Sequence, residues 1–265
     1  MNASDSRPWR LLTDGPQSGS RNMAIDRAIL EMHAAGGSVA TLRLYTWDRP
    51  TVSLGRFQSV TGVDTDAVRR YGVGVCRRPT GGRGVLHDDE LTYSVTAGVA
   101  DGLPRGVAAS YRVLCSALVE AYRQLGVEAA LTAGRSGDAS SPACYLQSTA
   151  ADLSHGAAKL SGSAQVWSGT SCLQHGSFII SRDTEREADI FALSEDGRHR
   201  LTTSTMTIAE VLGHTPDRES LTRAVCEGFE RSLGISLEPG CMTDAELNRA
   251  AEIEADFTVD PTSWT

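Results

Sequence analysis

Arg77-Arg78-Pro79-Thr80-Gly81-Gly82-Arg83-Gly84-Val85-Leu86-His87-Asp88 is the stretch from which the chain is best read. Three closely spaced glycines let the backbone adopt positive φ and approach a ligand without Cβ interference. Val73 to Val75 before the stretch and Leu91, Tyr93 and Val95 after it are apolar, so the pattern predicts strand–loop–strand. Such a loop offers N–H and guanidinium groups to an anionic or carbonyl-bearing ligand. A plain hairpin with basic neighbours reads the same way. The stretch is not a P-loop, because no Gly-Lys-Ser/Thr follows, and it is not G-x-G-x-x-G.

Outward from the loop, the periodicity predicts helices at Arg21–Met32, Asp64–Tyr71 and Val107–Leu125, and strands at Ala40–Trp47, Thr51–Gly55 and Leu91–Thr96. In Ala40–Trp47, Leu42 and Leu44 alternate with Thr41 and Arg43. Thr132 to Pro142 is rich in small residues and reads as a flexible loop. Further strands are expected between Lys159 and Ile180. The remainder reads as mostly helical, with capping boxes at Thr207 and Thr243 and a core stripe of Leu221, Val225, Phe229 and Leu233. Phe257–Thr265 carries no signal and reads as a loose tail.

At 265 residues, 40 % hydrophobic and 22 % charged, the composition is that of an ordinary globular protein. No apolar run reaches a membrane span and the first residues lack a signal-peptide core, so a cytoplasmic location is expected. The net charge of −8 argues against nucleic acid as main partner. Six cysteines show no C-x-x-C pair, so free thiols are expected in a reducing compartment, and the histidines form no metal-ligand spacing. Of 25 basic side chains only Lys159 is lysine. Codon bias accounts for arginine at tolerant surface sites, but a site needing a compact ammonium does not accept guanidinium, which marks Lys159 as a functional candidate.

Cys144 is the candidate partner of Lys159. A free thiol with pKa about 8.5 is mostly protonated at neutral pH, and a nearby ammonium favours the nucleophilic thiolate. Spacing alone favours a buried structural thiol at Cys144, and His87 is as readily structural as a mover of protons. His175 is a second candidate for proton movement, and Cys172, three residues before it, is the reserve nucleophile. Cys115 falls in a helix stripe and reads as core.

The run Arg77 to His87 continued by Asp88-Asp89-Glu90-Leu91-Thr92-Tyr93-Ser94 resembles the signature of the lipoate-protein ligase/octanoyltransferase family. Lys159-Leu160-Ser161-Gly162-Ser163-Ala164-Gln165 and Gln174-His175-Gly176-Ser177 resemble its second and third motifs in the right order. Asn22–Asp26 and the Trp47…Pro50…Ser53-Leu54-Gly55…Gln58 segment fit too, and the similarity covers about residues 8 to 250. ATP-dependent ligases of the family continue the first motif with His-Asp-x-Gly-Asn, have glycine where this chain has Arg83, and carry an extra C-terminal domain. The closer likeness is to the cysteine-dependent octanoyltransferases, whose nucleophile lies in an Ala-Cys-aromatic segment, here Ala143-Cys144-Tyr145.

The resemblance implies an α/β (α+β) fold of the biotin/lipoate-protein ligase type, a mixed β-sheet flanked by helices, as a single catalytic domain over 1–265 with a tail at 256–265. It implies octanoyl transfer from octanoyl-acyl carrier protein to a lysine of a lipoyl domain or glycine cleavage H protein, with no required cofactor. Cys144 would carry the acyl group and Lys159 would orient its carbonyl. Arg78, Thr80, Gly81, Gly82, Arg83, His87, Gly162, Ser163, Ala164, His175 and Gly176 would bind substrate. Arg69, Arg70, Arg77, Arg78 and Arg83 are candidates for docking acidic partners, or for internal ion pairs. The other readings are an ATP-dependent lipoate ligase using Mg and ATP, an amidotransferase between carrier proteins, and a silent acyl-binding homologue.

Overall fold

In the computed structural model, which describes residues 7–132, 136, 137, 142–144, 147, 148 and 152–261, the chain begins with β1 (Arg7–Thr13), α1 (Gly19–Ala34), β2 (Thr41–Tyr45) and β3 (Thr51–Leu54). It continues through α2 (Thr65–Arg70), β4 (Gly74–Arg77), β5 (Val85–His87), β6 (Glu90–Gly98) and α3 (Val107–Gln124). Short strands follow: β7 (Ala130–Leu131), β8 (Ser136–Gly137), β9 (Gln147–Ser148), β10 (Leu153–His155), β11 (Ala158–Ser161), β12 (Ser163–Ser168) and β13 (Ser171–Ile179). The last third holds α4 (Thr184–Ile190), α5 (Glu195–Ser204), α6 (Ile208–Leu212), α7 (Arg218–Leu233), β14 (Ile235–Pro239) and α8 (Asp244–Ile253).

Six strands in the order β12-β13-β6-β2-β1-β14 form a mixed sheet. The expected strand around Leu91–Thr96 is β6, held antiparallel between β13 and β2. One face carries α3 and α7, whose Leu114, Leu118, Val225 and Phe229 pack with Leu42, Leu44 and Val95. The other face carries α1 and α8, where Ala24, Ile25 and Ile29 meet Leu12, Ala250 and Ile253. The sheet is therefore covered on both sides, and the polar alternation of β2 does not mark a solvent face. Arg43 is fully buried under α1, donating to Asp26, Asn22 and Asp14. A buried guanidinium is tolerated because every direction of its donor fork meets an acceptor.

A second sheet, β4-β3-β5, packs on α2, α4 and α5 through Val52, Leu54, Val68, Ile190 and Leu201. A third, β11-β10-β7, lies beside β13. Among the elements that the apolar pattern does not show are β1 and β14, paired in parallel at one side of the sheet. The expected loose tail is corrected over its first part, because Phe257 packs against the α1 side and Thr258 bridges Cys76. The reading of Thr132–Pro142 as a loop falls largely outside the described residues, as does Tyr145. Among the described residues no helix is long and apolar enough to cross a membrane.

Candidate active site

Strands β4 and β5 both pair with β3, one parallel and one antiparallel, so residues 78–84 must pass over the end of β3. They do so in contact with Gly55: a Cβ there would lie 1.9 Å from the Gly82 carbonyl oxygen. Gly82 itself has φ +95°. The buried Arg78 guanidinium donates to the carbonyls of Ser53 (2.7 Å), Gly81 (2.8 Å) and Arg83 (2.7 Å). It braces the loop from within. Burial lowers the Arg78 pKa below its ordinary value, and the nearby Cys144 sulfur acts against that shift.

The loop borders a cleft of about 790 Å³, counting the space at its open mouth. Cys144 lines it, half-buried, on a segment stitched to the loop: its N–H donates to the Gly84 carbonyl at 2.9 Å, and the Gly84 N–H to the Pro142 carbonyl at 3.1 Å. The Gln58 amide also donates to Pro142, at 3.0 Å. Lys159 comes from β11 and is buried. Its Nζ donates to the Cys144 carbonyl oxygen at 3.2 Å and lies 3.0 Å from Asp152 Oδ2. Asp152 precedes β10, and the β10–β11 hairpin folds it back onto the lysine.

Gly162, Ser163, Ala164, His175 and Gly176 all line the cleft, as do Gly82, Arg83 and His87. Ser163 is held at its hydroxyl by Tyr93 (2.7 Å) and at its carbonyl by the Tyr111 hydroxyl (2.8 Å). Met23, Tyr45, Trp47 and Val85 supply apolar wall. Thr80 and Gly81 do not line it: Thr80 is buried against His175, and Gly81 is exposed on the outside of the turn.

Both histidines are held at both ring nitrogens. His175 Nδ1 lies 3.0 Å from Asp26 and its Nε2 2.7 Å from the Thr80 hydroxyl. Burial lowers the His175 pKa despite Asp26, so the ring is neutral at pH 7, donating to Asp26 and accepting from Thr80. His87 Nδ1 lies 2.8 Å from Glu90 and its Nε2 2.8 Å from the Ser53 hydroxyl, and the ring stacks on Trp47 at 4.0 Å. Burial acts to raise the Glu90 pKa, but His87 and the Thr92 and Ser177 hydroxyls outweigh it, so Glu90 is ionised. The expectation that a histidine moves the protons thus meets two rings already engaged in the scaffold.

Cys172 does not line the cleft, and burial pushes its pKa up to about 12, as for Cys76 and Cys115. Of the arginines expected at a docking surface, Arg69 pairs with Asp66 and Arg70 with Asp189, while Arg77 and Arg78 bond loop carbonyls. Reading the residues assigned no role to Asp152, Glu90 or Asp26. The Gly156 turn between Asp152 and the lone lysine was the one local signal for the first. Trp47 and Asp26 did fall within the family-like segments.

The lipoyl protein ligase A/B catalytic domain family matches residues 18–230. The octanoyltransferase LipM of Symbiobacterium thermophilum is 39 % identical, covering 95 % of this chain and 96 % of that protein. That of Kyrpidia tusciae is 38 % identical, covering 95 % and 97 %. Among solved structures, the bipartite lipoate protein ligase of Thermoplasma acidophilum shares the fold with a TM-score of 0.78 at 21 % identity, covering 97 % of this chain and 95 % of that one.

Proposed function

We infer that this chain, which belongs to the lipoyl protein ligase A/B catalytic-domain family, is an octanoyltransferase of lipoate biosynthesis working through a Cys144 thioester. The donor is octanoyl-acyl carrier protein, and the acceptor is a lysine of a lipoyl domain or glycine cleavage H protein. No nucleotide or metal takes part. The observation that carries this reading is the meeting of Cys144 and the buried Lys159 ammonium in one cleft, with Nζ 3.2 Å from the Cys144 carbonyl oxygen.

The Cys144 thiolate attacks the donor thioester, the new S–C bond forms and the carrier thiolate leaves, taking a proton from the Lys159 ammonium. Neutral Lys159 then removes a proton from the acceptor ammonium. The free amine attacks the Cys144 thioester, the amide forms, the thiolate is regenerated and the last amine proton passes to solvent. Asp152 pairs with Lys159 and aims it. The backbone at Gly82 faces the oxyanion, and Arg78 keeps that backbone in place. The acyl tail lies along Met23, Tyr45, Trp47 and Val85. Burying about six methylenes at ~0.8 kcal/mol each gives an upper bound of about 5 kcal/mol for chain recognition.

Intact-protein mass spectrometry after mixing with octanoyl-acyl carrier protein, without ATP, tests the reading. A thiol-labile octanoyl adduct on the wild type and none on Cys144→Ala is expected. No adduct on either protein, with lipoylation appearing once ATP and free lipoate are added, overturns it in favour of a ligase.

A further inference from the structure

On the far side of the glycine-rich loop from the cleft lies a second groove, of about 710 Å³, and Arg78 borders both. Five arginines line the groove (Arg27, Arg56, Arg77, Arg78 and Arg249) against only two carboxylates, Glu31 and Asp256, although Arg78 is buried and spent on loop carbonyls. Glu31 is already clamped between Arg27 and Arg249, at 2.7 Å from each, and Arg249 is paired with Glu252 as well, at 3.1 Å. Arg56 and Arg77 have no carboxylate partner among the described residues. On a chain of net charge −8 this is a local reversal of sign.

Beside the groove, Phe57 is 86 % exposed, with the Arg56 guanidinium 5.2 Å from its ring centroid. The loop that carries it is not slack. Arg77 Nη1 donates to the carbonyls of Gly55 (2.7 Å) and Gln58 (2.8 Å), and the Arg56 N–H donates to the Thr80 carbonyl at 2.8 Å. The rigid turn therefore holds an aromatic and a cation outward at little ordering cost to a partner, the composition of an interface anchor.

We propose that the Arg56–Phe57 turn and the arginine groove behind it are the docking surface for the acyl donor, an acidic carrier protein bearing its thioester on a long flexible arm. The proposal rests on the transferase reading above. Charge complementarity names an acidic partner, and position selects the donor. The acceptor lysine reaches only the length of its own four-carbon stem, so its protein must sit over the cleft mouth, whereas a carrier with a long arm docks across the loop and threads the acyl group to Cys144.

Arg56→Glu and Phe57→Ala, singly and together, test this with two donors: octanoyl-acyl carrier protein and octanoyl-N-acetylcysteamine, which carries the same thioester without a protein. The expected result for the double variant is a KM for the carrier donor raised about tenfold or more, with a flattened salt dependence, while acylation by the small thioester is unchanged. An unchanged carrier KM and salt slope overturn the surface. A rise in KM for the acceptor protein alone overturns it in favour of an acceptor site. Equal loss with both donors overturns it too, because the turn then acts on Cys144 through Gln58 rather than on a partner. A wild-type protein that takes octanoyl from neither donor overturns the transferase reading itself.

Discussion

Lys159 Nζ and Asp152 Oδ2 lie 3.0 Å apart, with both side chains about 4 % exposed, so the one lysine of the chain is neutralised inside the protein by a carboxylate seven residues before it. Such a pair gains little net stability over an apolar pair, but removing one partner strands a buried charge. Asp152→Asn is expected to lower stability by about 3 kcal/mol, and Asp152→Asn with Lys159→Met to recover most of that loss. Urea denaturation of these two variants and of Lys159→Met alone measures it. Both single variants are expected to lose octanoyl transfer, so the double variant separates a stable fold from a working site.

Residues 55, 81 and 82 are all glycine for different reasons. A Cβ on Gly55 meets the Gly82 carbonyl backbone at 1.9 Å, Gly82 has φ +95°, and Gly81 has open space around it. Gly55→Ala is expected to cost about 3 kcal/mol or more, Gly82→Ala about 1–2 kcal/mol, and Gly81→Ala under about 0.5 kcal/mol. Thermal unfolding of the series gives the ranking. A Gly81→Ala loss matching that of Gly55→Ala refutes the crossing geometry.

Stability is expected to fall with acid in two windows. The folded-state pKa of His175 lies below its ordinary 6.5, chiefly through burial, so the unfolded chain takes up this proton more readily. The contribution of neutral His175 is complete above pH 6.5 and is lost as pH falls below it toward the folded-state pKa. Asp26 is lowered from 3.8 although burial opposes it, because His175 and Arg43 bind its charged form, so its share persists above pH 3.8 and is lost below. His175→Asn is expected to flatten the melting temperature against pH just below 6.5 and to leave the steeper acid limb. An unchanged slope in the upper window refutes the assignment.

The cysteines separate by environment. Burial pushes Cys76, Cys115 and Cys172 up to about 12, whereas Cys144 faces the cleft. Alkylation of the native protein at pH 8 is expected to spare those three thiols, as read by peptide mass mapping. Cys172→Ala is expected to keep transfer within about threefold, while Cys144→Ala loses ~10³-fold or more.

Local patterns in the chain determined α1, α3, α7, the central β6 and the strand–loop–strand around Gly81 and Gly82, because each element repeats its apolar residues at its own period. The order of the motifs likewise determined the family. Periodicity was silent about β1 and the edge strand β14, whose pairing joins opposite ends of the chain. It set Thr41 and Arg43 on the side of β2 opposite Leu42 and Leu44 but was silent about what covers that side, because the fit between Arg43 and Asp26 exists only once α1 lies across the sheet. The docking arginines resolve in the same way. Arg69, Arg70, Arg77 and Arg78 are alike in sequence, but folding gives the first two carboxylate partners and turns the other two onto loop carbonyls. Composition and spacing record which charges a chain carries. Which of them remain available to a partner, and that Asp152 rather than a histidine stands beside Lys159, follow from distances that arise when strands far apart in sequence pair.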